Sequence, residues 1–218
     1  MKSVILVDDH PILREGLSKL IAAEAGLDIC GVAGSVQEAL ALVESEMPDL
    51  VITDLTLPGR NGLELIKDLG SLHPTLPILV LSMHDEMAYA ERVLRAGGRG
   101  YVMKDTPPAE LLQAISTVLG GGVFVSKNVN NHLLQALSNG KRQPQPSFPM
   151  ERLTDREMEI FELIGRVKSN QEIACQLGIS PRTVDAHRSH IREKLGIADS
   201  NELTRQAIRW IEVGLISP

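Results

Sequence analysis

Residues 3–11 read SVILVDDHP: four apolar residues, the adjacent carboxylates Asp8 and Asp9, then His10 and Pro11. The apolar run has the make-up of a short buried strand, and Pro11 suits the first position of a following helix. Two anions at the mouth of such a strand repel each other and resist desolvation, so the pair calls for a cation or hydrogen-bond donors nearby. A plainer role is also open, because acidic residues after a strand can cap the next helix and complement its dipole. The rest of the chain decides between these readings.

The 218 residues suit one or two domains, and 43% apolar content is enough for ordinary cores. No run reaches the roughly 18 consecutive apolar residues of a membrane span, and no basic segment leads into a signal-peptide core. A cytoplasmic protein without membrane contact is the expectation. Cys30 and Cys175 have no partner Cys or His at ligand spacing, which disfavours a disulfide framework or a zinc site and predicts two core thiols. A net charge of −6 disfavours general coating of nucleic acid, yet Arg166–Lys194 alone carries +3.

Residues 1–120 alternate short Val/Ile/Leu-rich runs with longer amphipathic ones, the pattern of repeated βα units on a parallel sheet. Strands are predicted near 3–7, 28–33, 50–53, 77–81 and 100–103, with helices over Pro11–Ala25, Ser35–Glu46, Gly62–Ser71, Asp85–Ala96 and Pro107–Leu119. Ser35 with Glu38 has capping-box spacing, Pro11 and Pro107 suit first helical positions, and Gly26, Gly70 and Gly97 suit C-terminal caps. A short extended piece and one more helix follow GGG at 120–122, and the proline-rich Asn139–Pro149 reads as a semi-rigid linker. The predicted division is therefore 1–122, a linker region 123–149, and 150–218.

The last part is helical by pattern. Thr154 with Glu157 and Ser169 with Glu172 have capping-box spacing, opening helices over Asp155–Arg166 and Asn170–Leu177. Gly178 breaks the chain, Ser180 and Pro181 restart it as far as Leu195, and Gly196 ends it. A short helix, a glycine turn and a second helix make a helix-turn-helix unit, closed by a helix near Asn201–Val213. Ile173, Ala174, Leu177, Ile179, Val184, Ile191 and Leu195 are its predicted core.

In a parallel α/β sheet, ligand sites form at the carboxyl ends of the strands. Asp8 and Asp9 follow the first strand, Asp54 the third, Ser82 the fourth and Lys104 the fifth, so all five should converge. Three carboxylates without soft ligands suit Mg²⁺, which would compensate the Asp8–Asp9 pair. An aspartate beside such an ion can attack a phosphoryl group, with Lys104 and Ser82 placed to bind its oxygens.

VDDHP, DLTLPGRNGLEL, LSMHDE, RAGGRGYVMKD and LTDREMEIFELI followed by SNQEIACQLGISPRTVDAHRSHIREKLG together resemble two-component response regulators of the NarL/FixJ type. The resemblance spans nearly the whole chain outside the linker. It implies a flavodoxin-like receiver with a five-stranded parallel sheet, followed by an all-α helix-turn-helix domain. It further implies that Asp54 accepts phosphate, that Asp8, Asp9, Asp54 and the Thr56 carbonyl organise Mg²⁺, that Ser82 is the switch hydroxyl, and that Lys104 contacts the phosphate. Tyr101 matches the aromatic switch position, although a half-buried strand aromatic fits it equally. Asp185, Ala186 and Ser189 correspond to base-facing positions, and Arg182, Thr183, His187, Arg188, Arg192 and Lys194 to phosphate or base contacts. The partners implied are promoter half-sites in DNA, a sensor histidine kinase and, on phosphorylation, a second copy of the chain.

Three positions depart from that family's habit: Asp185 where Lys is frequent, Val167 where Gly is usual, and Ser200 where Arg is usual. An acid at 185 could accept from a cytosine amino group or merely improve the first helical turn. Two other functions stay open. A phosphorylation-independent DNA-binding regulator is one. An aspartyl-phosphate phosphatase is the other, although Thr56 stands where those enzymes carry a second acid.

Overall fold

The five apolar runs form the strands of one sheet in the computed structural model, which describes residues 1–138 and 152–216. The chain divides into two compact units, the first ending at Ser138. In it, β1 (Lys2–Val7), α1 (Pro11–Ala22), β2 (Leu27–Ala33), α2 (Val36–Glu46), β3 (Leu50–Thr53) and α3 (Gly62–Leu72) come first. β4 (Ile78–Ser82), α4 (Glu86–Ala96), β5 (Gly100–Met103), α5 (Pro108–Leu119) and α6 (Lys127–Ser138) complete it. All pairings are parallel, in the order β2-β1-β3-β4-β5, which is the flavodoxin-like arrangement.

Helices cover both faces, so Val4–Val7, all of β3 and all of β4 are buried. Fully burying each large aliphatic side chain of this kind contributes about 1.5–3 kcal/mol. β2 and β3 flank β1 on opposite sides, so the strand order reverses there and opens a crevice beyond the carboxyl ends of β1 and β3.

Several local expectations are corrected. α1 stops at Ala22 with Ala23 as its cap, and Gly26 instead sits in the turn into β2, where its carbonyl accepts from Lys2 N–H. Gly70 lies inside α3, which is capped by His73. Pro107 is the N-cap of α5 and Pro108 its first residue. Only half of the expected box at Ser35 forms: Ser35 Oγ accepts from Glu38 N–H, but the Glu38 carboxylate turns to Gly34 N–H at 2.7 Å. Gly97 does cap α4, at φ 107°.

The first unit also extends past residue 122. Phe124 exchanges backbone hydrogen bonds with Arg99 and Tyr101, Ser126 Oγ donates to Glu86 at 2.6 Å, and Val129 is buried. The helix expected within the linker region therefore packs on the first unit. The expected linker at Asn139–Pro149 and the domain start at 150 lie outside the described residues.

The second unit contains α7 (Asp155–Gly165), α8 (Asn170–Leu177), α9 (Pro181–Leu195) and α10 (Ser200–Ile216). Both capping boxes form here, and Gly178 and Gly196 are left-handed caps. Met158, Ile160, Phe161, Ile173, Val184, Ile191 and Leu203 build the core, whereas Ile179 and Leu195 are half-buried. Val167 adopts φ 59° with its side chain exposed, a conformation costly for a β-branched residue. Cys175 is exposed on α8 rather than a core thiol, because its position falls on the outer face of that helix, and Cys30 is half-buried.

Candidate functional site

Continuation of the strand ladder places the acidic residues. Beyond the strand ends, Asp8 N–H donates to Ala33, Asp54 N–H to Val7 and Lys104 N–H to Ser82, each to the backbone carbonyl at 2.9–3.0 Å. Three side chains are thereby anchored over the same crevice.

Lys104 Nζ lies 2.6 Å from Asp54 Oδ2 and 2.7 Å from Asp8 Oδ2, and all three side chains are almost wholly buried. Burial opposes the Lys104 charge, but the Asp54 and Asp8 carboxylates outweigh it and hold the ammonium above the usual lysine value. Asp54 Oδ1 accepts from Leu55 N–H at 2.6 Å, so the carboxylate is oriented at both oxygens. Asp8 Oδ1 accepts from His10 N–H at 2.8 Å, and Arg14 donates to the Asp8 carbonyl at 2.5 Å.

Oxygens of Asp8, Asp9 and Asp54 and a ring nitrogen of His10 lie within 4.8 Å of one another. Asp9 Oδ1 is buried and accepts no hydrogen bond, although His10 Nδ1 stands 2.7 Å away. A buried carboxylate oxygen that accepts no hydrogen bond, beside two further carboxylates, fits a hard divalent cation, the donor chemistry that Mg²⁺ prefers. The residues therefore fit the ion, and Asp8, Asp9 and Asp54 would hold it.

Ser82 is fully buried at the end of β4, where its Oγ accepts a long 3.4 Å bond from His84 N–H. Tyr101 is buried rather than half-buried, and its hydroxyl donates to the His84 carbonyl at 2.8 Å. The His84 ring meets Thr56 Oγ1 at 2.8 Å and stacks obliquely on Tyr89. His84 thus links the expected metal-side loop to the expected switch residues. No sequence spacing pairs His84 with Thr56 or Tyr101, or Arg14 with Asp8; the only sequence signals are that His84 follows Ser82 by two residues and that Arg14 lies in the first turn of the helix after Asp9.

On α9 in the second unit, Arg182, Thr183, Asp185, Ala186 and Ser189 are exposed. Asn170 Nδ2 donates to Asp185 Oδ1 at 2.5 Å, and Arg188 Nη1 reaches Asn170 Oδ1 at 3.4 Å. Arg192 is half-buried. Two residues expected to contact nucleic acid have a neighbour on α7: Lys194 Nζ pairs with Glu157 Oε2 at 2.6 Å, and the half-buried His187 ring lies beside Glu157.

Residues 4–116 match the response regulator receiver domain, and residues 151–207 match the luxR family of bacterial regulatory proteins. The transcriptional regulatory protein UhpA of Escherichia coli K12 is 35% identical over 206 residues, covering 94% of this chain and 97% of its own. RcsB of Salmonella enterica serovar Typhimurium, solved on promoter rprA with phosphomimetic BeF3−, is 26% identical with a TM-score of 0.66, covering 94% and 96%. A structure of two RcsB dimers on two parallel DNAs is 27% identical with a TM-score of 0.58, again covering 94% and 96%.

The fold, the acidic crevice and the helix-turn-helix thus define a two-domain regulator. The chain belongs to the two-component response regulators of the NarL/FixJ type, with a receiver followed by a LuxR-type DNA-binding domain. Its class is that of transcription regulators rather than classical enzymes. Among the described residues, no helix is long and apolar enough to cross a membrane.

Proposed function

We propose that Asp54 accepts a phosphoryl group in a Mg²⁺-dependent reaction and that this modification controls promoter binding by the second unit. The observation that carries the reading is Lys104 Nζ, 2.6 Å from Asp54 Oδ2 and beside an acidic crevice. With Leu55 N–H holding Oδ1, Oδ2 attacks phosphorus while the bond to the donor's leaving group breaks, and the bonding electrons depart with that group. Mg²⁺ would supply charge neutralisation on the transferred oxygens. Lys104 binds one of those oxygens, exchanging the Asp54 carboxylate for the acyl phosphate. Ser82 Oγ donates to another, and Tyr101 with His84 follows that movement. Water attack at phosphorus later returns Asp54 and inorganic phosphate, so the protein can dephosphorylate itself.

The donor partner is a sensor histidine kinase, and the setting is cytoplasmic. Arg182, Thr183, Asp185, Ala186 and Ser189 face DNA, flanked by Arg188 and Arg192, while His187 and Lys194 brace α9 against Glu157 of α7. Residues 143–218 carry a net charge of only −1, so two copies on paired half-sites supply the affinity. The RcsB dimers on DNA support that arrangement.

The test is incubation with acetyl phosphate, with MgCl₂ or EDTA, followed by mass spectrometry. One added phosphoryl group on Asp54 in MgCl₂ alone, absent from D54N, is expected. BeF3− should then raise DNA affinity and the dimer fraction. An unlabelled Asp54, or DNA affinity and size unchanged by BeF3−, overturns the proposal and favours a phosphorylation-independent regulator.

A further inference from the structure

Glu157 on α7 and His187 and His190 on α9 form a second group of metal-ligating side chains among the described residues, outside the acidic crevice. One carboxylate oxygen and one ring nitrogen from each histidine lie within 4.8 Å of one another. Ligands roughly 2.1 Å from a shared tetrahedral ion stand roughly 3.4 Å apart, so small side-chain shifts close the group around one cation. His187 and His190 are three residues apart, on neighbouring positions of one helix face.

Two further observations point to a ligand. Nδ1 of His187 is buried and makes no hydrogen bond, a costly state for an imidazole nitrogen that calls for a partner. The Glu157 carboxylate is already oriented, since Oε2 accepts from Thr154 N–H at 2.7 Å, the kind of outer support that ligating carboxylates have. Burial also depresses the His187 pKa, opposed by Glu157 and aided by Arg156, His190 and Lys194, so the ring is held in its neutral, ligating form.

We propose that Glu157, His187 and His190 form a site for a borderline divalent transition metal, Zn²⁺ by donor chemistry, that pins α9 to α7. Two imidazoles and a carboxylate are a zinc-type donor set, with the remaining position open to water. Lys194 occupies the same carboxylate at 2.6 Å. The ion displaces that ammonium and frees it near the C-terminal end of α9. The inference does not depend on phosphorylation of Asp54.

The experiment titrates Zn²⁺ into the full chain against a chromophoric chelator, with excess MgCl₂ competing at the receiver crevice, and repeats the titration with Co²⁺ for its visible spectrum. His190 is exposed, so H190Q keeps the fold, which helix content by circular dichroism checks. H190Q should weaken Zn²⁺ binding by at least about tenfold and abolish the tetrahedral Co²⁺ bands. K194Q should bind more tightly than wild type, and D9N should keep the His190-dependent site. Equal Zn²⁺ affinity in wild type and H190Q, an octahedral Co²⁺ spectrum, no gain in K194Q, or loss of the site in D9N each overturns the proposal.

Discussion

Lys104 Nζ and Asp54 Oδ2 stand 2.6 Å apart with each side chain 4% exposed, while the same ammonium reaches Asp8. One buried cation therefore balances two buried carboxylates. Truncating one partner of a buried pair costs about 3–5 kcal/mol, because the other charge remains. K104M should lose about 3 kcal/mol or more from the first unit in EDTA, and MgCl₂ should restore part of it by neutralising the same carboxylates. Urea unfolding followed through Tyr89 and Tyr101, both in that unit, measures this. An equal loss with and without Mg²⁺ would contradict the assignment of the crevice.

Gly62 presses on the loop that carries Asp54. A Cβ there would collide with the Asp54 carbonyl oxygen and stand 2.8 Å from Leu55 Cα, so G62A must push the loop outward. Overpacking of this kind costs about 1–3 kcal/mol. Mg²⁺ affinity should fall with it. G59A is the control: nothing lies within 4 Å of its added Cβ, and its strain at φ 75° costs about 1 kcal/mol. Mg²⁺ titration should separate the two, and identical affinities would show that the Gly62 contact does not govern the site.

Val167 at φ 59° carries backbone strain in an exposed turn. V167G should stabilise the second unit by about 1 kcal/mol, the relief of left-handed strain exceeding the added freedom of the unfolded chain. Trp210, the single tryptophan, reports on that unit through its fluorescence in urea. A lower unfolding midpoint in V167G would refute the strain argument.

Acid should loosen the second unit in two separable steps. Burial raises the Glu157 pKa, but Lys194 and the Thr154 N–H outweigh it and leave the pKa lowered. The associated stability is present above the unfolded value, about 4.3, and lost as pH falls through the lower folded one. Burial lowers the His187 pKa, so the unfolded chain binds that proton first and stability begins to fall below about 6.5. H187Q should remove the upper step in Trp210-monitored stability against pH and leave the lower one. A retained upper step would assign it to another group.

Much of the architecture was legible because its signals are local. The strands, the helix-turn-helix, the boxes at Thr154 and Ser169 and the cap at Gly97 depend on residues within one turn of each other. Errors arose where one neighbour competes with another, as when the Glu38 carboxylate finds Gly34 N–H in place of Ser35 N–H. The βα rhythm implies parallel strands with their carboxyl ends on one edge, so the meeting of Asp8, Asp54 and Lys104 was also foreseeable.

By itself, then, the sequence determined the two-part design, the parallel sheet and the collection of acids at one edge, because periodicity, caps and strand-end positions carry that information over short distances. Only the tertiary structure decided which partner each polar group takes. It gave Lys194 to Glu157, set His84 between Thr56 and Tyr101, and packed α6 against the receiver. Those contacts join residues 17–40 positions apart, and their choice rests on burial and competition among donors that no local spacing records.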